Sequence, residues 1–350
     1  MFWGCRGGRT QQEHQSGETE DQDQDQHNGA RDAFAGRDHV GNWVVGGRER
    51  VDGLAGHSFQ PESSAMSAFR ILFLGDIVGE PGRKAVIEQL PLLKQMEALD
   101  FIIVNGENAA GGKGITPKIA IDLLRAGAAV ITTGDHVWDQ AEIVAYFPTE
   151  PRLLRPLNYP DGTPGHGSVV LETAKGRIGV MQVQGRSFIQ PPLENPYIAA
   201  EKEAARLRAD GVAAIIVDMH AEATSEKIAM GRLLDGKVSA VLGTHTHVQT
   251  ADETIFPGGT GYLTDAGMCG PEQSVLGRNI DSVVWRFKTG MPTRFPIAKG
   301  PVRLCGVILE VDSNSGACLA IKRLSLFLAE PPEQPRALYT NPGNDSSLGV

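Results

Sequence analysis

The sequence predicts an α/β fold in which helices connect parallel β-strands. From about residue 70 onward, short β-branched apolar segments alternate with segments whose apolar residues recur at helical spacing. Such alternation is typical of strand–helix–strand units, which place parallel strands side by side. Polar residues that can bind metals follow several of these strands. We expect them to meet at one edge, because ligands bind outside the carboxyl ends of the strands in open α/β sheets.

The first half of the folded region supplies predicted strands that alternate with helices. The strands are predicted at 71–74, 101–104 and 129–133, and the helices at 83–97 and 116–126. Thr116 can cap the second of these helices, since its hydroxyl can accept a hydrogen bond from a free backbone N–H group. Pro117 suits the first turn of the same helix, where a missing N–H group costs nothing.

The second half of the folded region has more β character. Strands are predicted at 168–172, 177–183, 213–217, 238–242 and 260–264, and helices at 197–209 and from about 224. The last predicted element is a hairpin, in which strands 302–311 and 317–327 flank a turn rich in Asp, Ser, Asn and Gly.

The two ends of the chain differ in composition from the region between them. Residues 1–66 are rich in Gln, Asp, Glu, Gly and Arg, and cannot bury enough apolar surface to offset the entropy lost on ordering. We expect them to be a disordered or spurious extension, with Met66 as the true or an alternative start; a genuine regulatory tail is the alternative. Residues 67–329 are the predicted folded domain, and 330–350 a flexible tail.

Composition excludes several functional classes. The net charge of −9 argues against an extended surface for nucleic acid or for an anionic membrane. A small phosphate-bearing substrate is still compatible, because bound metal ions can reverse the local sign of the charge. No apolar run reaches the ~18 residues of a membrane helix. The 4 cysteines show no disulfide framework, and no secretory signal is visible, so we expect a cytoplasmic protein.

The stretch Gly243-Thr244-His245-Thr246-His247 follows the strand predicted at 238–242. Two imidazoles two residues apart at a strand end form a natural pair of metal ligands, although polar loop histidines that cap a strand are the alternative. Other strands also end in candidate ligands, namely Asp76, Glu107 with Asn108, Asp135 with His136, and His220. Each alone has an ordinary explanation as a turn or cap residue, but their recurrence favours a metal centre.

The donor set indicates the kind of centre. Carboxylate, amide and imidazole donors without thiolates suit Mn, Fe or Zn. The candidates are too many for one tetrahedral zinc ion, and they fit two ions about 3.5–4 Å apart.

At these residues the chain resembles the metallophosphoesterases of the calcineurin-like superfamily, and specifically the YmdB-like branch of 2′,3′-cyclic-nucleotide phosphodiesterases. The resemblance covers about residues 70–329. The matching motifs are Gly75-Asp76-Ile77-Val78-Gly79, Asn105-Gly106-Glu107-Asn108-Ala109-Ala110, Gly134-Asp135-His136-Val137-Trp138-Asp139, the stretch from Asp218 to Lys227, and Gly243 to Thr250.

The resemblance implies a four-layer α-β-β-α sandwich, with two central mixed β-sheets flanked by helices. It also implies two divalent or mixed-valence metal ions, Fe or Mn. The implied roles are that Asp76, Asn108 and His247 hold one ion, Asp135, His220 and His245 hold the other, Glu107 bridges them, and His136 is the general acid.

The implied reaction is hydrolysis of small phosphodiesters, with 2′,3′-cyclic nucleotides converted to 3′-nucleotides by a hydroxide that bridges the metals. A homo-oligomer is compatible with these expectations, and no membrane partner is expected. A regulatory protein that binds a nucleotide or an RNA end, with incidental phosphoesterase activity, is the alternative, and a phosphomonoesterase is a further one. An intact ligand set that includes His136 favours the enzyme.

The chain departs from the wider superfamily at Val78 and at Glu107, where that superfamily has an aspartate, and it departs from the YmdB-like branch at Asp135. Val78 stands where the wider superfamily has a histidine, as is typical of the YmdB-like branch. Asp135 stands where that branch has asparagine, and we expect the added negative charge to retain the metal more tightly and make it less electrophilic.

Four further charged residues have two interpretations each. Lys113, Arg155 and Arg186 are either phosphate contacts or solvated surface charges. Glu222 either orients a ligand histidine or occupies the start of a helix, where the helix dipole favours a carboxylate.

Overall fold

The computed structural model describes residues 68–329, which form two six-stranded β-sheets between helices. The predicted extension at 1–66 and the predicted tail at 330–350 lie outside the described residues. Along residues 68–329 the strands are β1 (Ala68–Ile77), β2 (Phe101–Asn105), β3 (Val130–Thr132), β4 (Ser168–Thr173), β5 (Gly176–Gln184), β6 (Ala214–His220), β7 (Ala240–Thr244), β8 (Thr254–Ile255), β9 (Gly261–Leu263), β10 (Met268–Pro271), β11 (Val302–Asp312) and β12 (Cys318–Leu328).

The helices begin at recognisable capping residues in several cases. Within the same range they are α1 (Gly79–Met96), α2 (Pro117–Ala126), α3 (Ile143–Tyr146), α4 (Pro196–Ala209), α5 (Thr224–Leu233) and α6 (Ile280–Thr289). The predicted cap of α2 is confirmed, because Thr116 Oγ1 accepts a hydrogen bond from the Ile119 N–H group at 3.3 Å. No helix within residues 68–329 is both long and apolar enough to cross a membrane.

Both sheets are mixed. The first sheet has the strand order β12-β11-β10-β1-β2-β3, and the second has the order β4-β5-β6-β7-β9-β8. The centre of each sheet is parallel, as the alternation of strands and helices predicts: β1, β2 and β3 are parallel in the first sheet, and β5, β6, β7 and β9 in the second.

Apolar residues pack in three layers that hold the sheets and helices together. Between the sheets, Phe69 and Phe73 from β1 pack with Ile216 from β6 and Leu242 from β7. Outside the first sheet, apolar residues of α1 and α2 pack on Leu72 and on other residues of β1 and β2. Outside the second sheet, residues of α4 and α5 pack on β5, β6 and β7. The four-layer α-β-β-α sandwich is therefore confirmed.

Some elements were absent from the sequence prediction, and β10 and α6 show why. Strand β10 has four residues, which include Gly270 and Pro271, and it is specified by its pairing with β1 and β11 rather than by a local strand pattern. Helix α6 is rich in β-branched and aromatic residues, which are poor helix formers. Its end residues decide its length, since Asn279 caps its start and Gly290 has a φ of 69° at its end.

The strand ends that carry the candidate ligands meet at one edge of both sheets. The register of β1 against β2 shifts between Leu74 and Asp76, where Gly75 lies against the carbonyl group of Gly267. A Cβ atom at Gly75 would lie 2.0 Å from the Gly267 oxygen, so no larger residue fits without movement of the backbone. This close approach brings Asp76 to the same edge as His220, the last residue of β6.

Candidate metal centre

Glu107, Asp135, His220 and His245 form a compact group whose possible ligand atoms all lie within 4.8 Å of one another. His220 Nε2 lies 2.9 Å from Glu107 Oε2 and 3.1 Å from Asp135 Oδ1. The Nδ1 atom of His245 lies 2.9 Å from His220 Nε2 and 3.1 Å from the same Asp135 oxygen. Two carboxylates and two imidazoles therefore direct their ligand atoms at one small volume, as residues around a metal ion do.

A second group adjoins the first through Glu107. The side-chain amide of Asn108 lies 3.3 Å from Glu107 Oε2 and 3.2 Å from His247 Nε2. That His247 nitrogen lies 3.8 Å from Asp76 Oδ1. Asp76 Oδ1 is buried and accepts no hydrogen bond from the described part of the protein, although its partner oxygen accepts one from the His245 N–H group at 3.0 Å. An orphaned buried carboxylate oxygen of this kind fits a site that completes its coordination with a cation.

The structure thus brings all the candidate ligands together in two adjoining groups. The amide of Asn108 can present its oxygen to a cation after a half-turn about its last side-chain bond, since the two ends of an amide differ little in shape. Glu107 lies in both groups, where its two oxygens have different neighbours: Oε2 lies against His220 and Asn108, and Oε1 accepts a hydrogen bond from the His136 N–H group at 2.8 Å.

Burial and neighbouring charges together set the pKa values of Glu107, His220 and Asp76. Burial raises the pKa of Glu107 well above its usual value, and the positive partner His220 opposes this only in part. For His220 burial acts to lower the pKa, but Glu107 and Asp135 raise it well above its usual value. For Asp76 burial acts to raise the pKa, but His247 and His220 bring it below the usual value. A bound divalent cation would replace the proton that these groups share and favour ionised carboxylates and neutral imidazoles.

Both histidines of the His-x-His stretch have left-handed backbone conformations. The φ angle is 97° at His245 and 65° at His247, and such values cost free energy for residues with a Cβ atom. A strained conformation persists only where surrounding contacts hold it. Nearby, Gly134 leaves space for the ligands, because a Cβ atom there would lie 2.3 Å from His220 Nε2.

A hydroxyl relay fixes the tautomer of His220. The hydroxyl of Thr244 donates a hydrogen bond to Asp218 Oδ1 at 2.7 Å, and it lies 2.8 Å from His220 Nδ1. A hydroxyl has one proton, so Thr244 must accept the hydrogen bond from the Nδ1–H group of His220. In neutral His220 the Nε2 atom then carries the free lone pair, and this is the atom that lies among the other ligands.

Asp218 is the anchor of this relay. Its Oδ2 atom accepts hydrogen bonds from Thr132 Oγ1 at 2.5 Å and from Asn105 Nδ2 at 3.0 Å. Burial raises the pKa of Asp218 to about 6, against the opposing effects of His220 and the hydroxyl donors, so the carboxylate is largely ionised at neutral pH. Thr132 and Asn105 belong to the first sheet, whereas Asp218 and Thr244 belong to the second. One carboxylate therefore joins the two sheets directly beneath the ligands.

His136 lies beside the ligand groups with one ring nitrogen on each side. Its Nδ1 atom is 3.1 Å from Asp139 Oδ2, and its Nε2 atom is 3.9 Å from Asp135 Oδ2. Burial lowers the pKa of His136, while Asp135 and Asp139 oppose this. The contact with Asp139 orients the ring so that Nε2 faces the centre, which is the arrangement that a proton donor needs.

The remaining candidates separate into structural and exposed residues. Arg155 is buried, and its guanidinium donates to the carbonyl groups of Pro156, Thr163 and Pro164, so it holds a loop. Lys113 and Arg186 are exposed.

Glu222 precedes helix α5, and its Oε2 atom lies 3.3 Å from His245 Nε2 without the geometry of a hydrogen bond. This position agrees with a residue that orients a ligand histidine.

Several residues that support the ligands were not among the sequence candidates. They are Asp139, Asp218 and Thr244, and also Lys227 and Asp265, a buried ion pair that contacts Thr246 between His245 and His247. Asp139, Asp218 and Thr244 lie within the motifs that carry the resemblance, three, two and one residues away from candidate histidines. That proximity is the only local signal, since their contacts are made with other strands and loops.

Comparison with known proteins agrees with this geometry. Residues 72–324 match the model of the YmdB-like protein family. A protein of Bacillus subtilis strain 168, described as a 2′,3′-cyclic-nucleotide 2′-phosphodiesterase, is 47% identical over 255 residues, which are 73% of this chain and 96% of that protein.

Two crystal structures are also similar. A hypothetical protein of Thermus thermophilus is 41% identical with a TM-score of 0.69, and the match covers 74% of this chain and 100% of that one. A structure described as a novel phosphatase of Mycoplasma pneumoniae is 35% identical with a TM-score of 0.71, and the match covers 76% of this chain and 96% of that one.

The relay predicts that the hydroxyl of Thr244 supports metal affinity. In Thr244→Val the Nδ1–H group of His220 loses its buried acceptor, and we expect metal affinity to fall by roughly 10- to 100-fold. Thr244→Ser keeps the hydroxyl and is the matched control, with affinity close to that of the unaltered chain. Calorimetric titration of the metal-free proteins with Mn²⁺ measures this, and equal affinities for the valine and serine variants would contradict the relay.

The position of Asp135 predicts that its charge retains the metal. Asp135→Asn keeps an oxygen ligand but removes one negative charge, and unit charges about 4 Å apart interact by roughly 4 kcal/mol in a protein site. We expect metal loss to a chelator to become faster by about tenfold or more. Asp139→Asn is the control, because it makes the same charge change on a residue that contacts His136 instead. Unchanged or slower metal loss from Asp135→Asn would show that the extra charge does not serve retention.

Proposed function

Because this chain belongs to the YmdB-like protein family, we propose that it is a metal-dependent hydrolase of small phosphodiesters, with 2′,3′-cyclic nucleotides as its substrates. The observation that carries the proposal is the pair of adjoining ligand groups that share Glu107. The substrate is supported by the description of the Bacillus subtilis relative. Residues 67–329 would form the catalytic metallophosphoesterase domain.

Two ions fit the ligands that the structure assembles. Asp76, Asn108 and His247 would hold one, Asp135, His220 and His245 the other, and Glu107 would contribute to both. These oxygen and imidazole donors suit Fe or Mn in a divalent or mixed-valence pair. When bound, such ions supply Lewis-acid polarisation of the phosphoryl group and a water molecule of lowered pKa.

His136 would deliver the proton that the leaving group needs. Hydrolysis joins a water oxygen to phosphorus and breaks the P–O2′ bond, so the 2′ oxygen must gain a proton as it leaves. His136 Nε2 faces the ligand groups, while Nδ1 lies 3.1 Å from the Asp139 carboxylate. That carboxylate stabilises the protonated ring before transfer and fixes its orientation during transfer. The product would be the 3′-nucleotide.

We also propose a cytoplasmic location. Cys269, Cys305 and Cys318 are buried and unpaired, which supports a reducing compartment.

Metal removal and reloading test the proposed activity. We expect the full chain loaded with Mn²⁺ or Fe²⁺ to convert 2′,3′-cyclic AMP to 3′-AMP, and the chelator-stripped chain to lose this activity until metal is restored. Phosphorus NMR identifies which bond breaks, because 2′-AMP and 3′-AMP are resolved. Absence of turnover by a chain that holds two ions would reject this substrate. Binding without turnover in the same preparation would then favour the regulatory nucleotide-binding protein.

The leaving-group dependence of the rate tests His136 as the proton donor. We expect His136→Asn to slow hydrolysis of 2′,3′-cyclic AMP by about 10²- to 10⁴-fold, because its alkoxide leaving group needs a proton. A diester with a p-nitrophenolate leaving group should be slowed much less, since that group leaves without protonation. Equal slowing of both substrates would assign His136 to a step other than protonation of the leaving group.

A further inference from the structure

A buried ion pair lies behind the His-x-His stretch and outside the ligand groups. Lys227 on α5 and Asp265 after β9 are both fully buried, with 2.6 Å between Lys227 Nζ and Asp265 Oδ2. A buried ion pair of this kind is weak evidence for added stability, because desolvating both charges offsets most of their attraction. Gly243 packs against both the backbone carbonyl group of Thr264 and the side chain of Lys227, where a Cβ atom would lie 1.8 Å from Thr264 O and 2.8 Å from Lys227 Cδ. The pair therefore needs a reason other than stability alone.

One oxygen of Asp265 holds the residue between the two ligand histidines. Asp265 Oδ2 accepts hydrogen bonds from Thr246 N at 3.1 Å and from Thr246 Oγ1 at 2.8 Å. Thr246 stands between His245 and His247, which both have left-handed φ angles. These two hydrogen bonds fix the centre of a strained segment, which would otherwise relax toward ordinary backbone conformations.

The other oxygen of Asp265 holds the segment that carries Asp76. Asp265 Oδ1 accepts a hydrogen bond from the Gly267 N–H group at 2.8 Å. The carbonyl group of Gly267 in turn accepts a hydrogen bond from the Asp76 N–H group at 3.0 Å. Gly75, the residue before Asp76, is packed against that same carbonyl group. One carboxylate thus connects the loop with His245 and His247 to the strand end with Asp76.

We propose that Asp265, held by Lys227, is a positioning residue that sets the placement of the His245–His247 segment relative to Asp76 and thereby the affinity for the metal pair. The inference rests on the proposed two-metal function. Lys227 Nζ donates a hydrogen bond to Asp265 Oδ2, and both oxygens of the carboxylate act as acceptors. The four donors around it, Lys227 Nζ, Thr246 N, Thr246 Oγ1 and Gly267 N, point at those oxygens.

The variant Asp265→Asn tests the hydrogen bonds that the carboxylate of Asp265 accepts. An asparagine keeps the shape of the side chain but turns one end into a donor, which must face at least one of the four donors. We expect the dissociation constant of the more weakly bound Mn²⁺ ion to rise by about tenfold or more. Loss of a residue that supports a metal ligand typically weakens metal binding by this amount. The electron paramagnetic resonance signal of the coupled Mn²⁺ pair should also change, since it depends on the distance between the ions.

A double variant distinguishes positioning from a purely structural pair. Lys227→Met with Asp265→Asn removes both charges, so the free energy of unfolding should recover relative to Lys227→Met alone. Under the proposal, metal affinity and the coupled Mn²⁺ signal stay altered, because asparagine has one acceptor oxygen where Thr246 and Gly267 need two. Recovery of both stability and metal affinity in the double variant would overturn the proposal.

The side chain of Thr246 allows a milder test of the same hydrogen bonds. Thr246→Ala removes the hydrogen bond from the hydroxyl to Asp265 and should lower the affinity of the same Mn²⁺ site. Thr246→Ser keeps that hydroxyl and should keep the affinity. Asp252→Asn is the control, because Asp252 accepts hydrogen bonds from Thr250 and Thr264 near Asp265, and among residues 68–329 no hydrogen bond joins its side chain to His245, His247 or Asp76.

Titration of the unaltered chain separates the two hypotheses. Two tightly bound Mn²⁺ ions in both the unaltered chain and Asp265→Asn, with the same coupled signal, would overturn the role of Asp265 and leave the proposed function intact. Fewer than two ions in the unaltered chain would overturn the two-metal function and the positioning role with it.

Discussion

Ionisable side chains are buried between the two sheets, and the surrounding structure must compensate for the loss of their hydration. Glu107, His220 and Asp76 are fully buried, Glu107 Oε2 lies 2.9 Å from His220 Nε2, and the charge of His220 acts to lower the pKa of Asp76. Charges in such a place are tolerated only when they are paired, hydrogen-bonded or bound to a cation. The protein supplies the first two through a network of side chains beneath the ligands, and the donor set fits the third.

That network also explains why the fold and the centre are inseparable. Asp218 receives hydrogen bonds from Thr132 and Asn105 in one sheet and from Thr244 in the other. Asp265 joins the loop after β7 to the strand end of β1. Asp218 thus joins the two sheets directly, and Asp265 joins them through Gly267, at the edge where the ligands lie. A small change in the packing of the two sheets would therefore move the ligand atoms. The apolar core between the sheets thus helps to fix the distances between the ligands.

Backbone conformation contributes as much as side-chain identity. The positive φ angles of His245 and His247 turn the chain sharply after β7. His245 then lies in the group with Asp135 and His220, and His247 lies in the group with Asp76 and Asn108. Gly75 and Gly134 allow the backbone to approach other groups at distances that a Cβ atom would block. These positions show where a substitution that looks conservative would displace the ligands.

The alternation of strands and helices, the candidate ligands at the strand ends and the family resemblance could all be predicted from the sequence, because they are local patterns. The positions of Asp76, Glu107 and His220 follow from the rule that strand ends carry the site in α/β sheets. The tautomer of His220, the orientation of His136 by Asp139, and the contacts of Asp265 emerged only from the three-dimensional structure. The physical reason is that each depends on contacts between segments that approach only when the chain folds: Asp218 meets Thr132 from 86 residues away, and Lys227 meets Asp265 from 38 residues away. Local periodicity contains no information about such contacts. Strand β10 and the buried ion pair therefore could not be predicted from the sequence pattern.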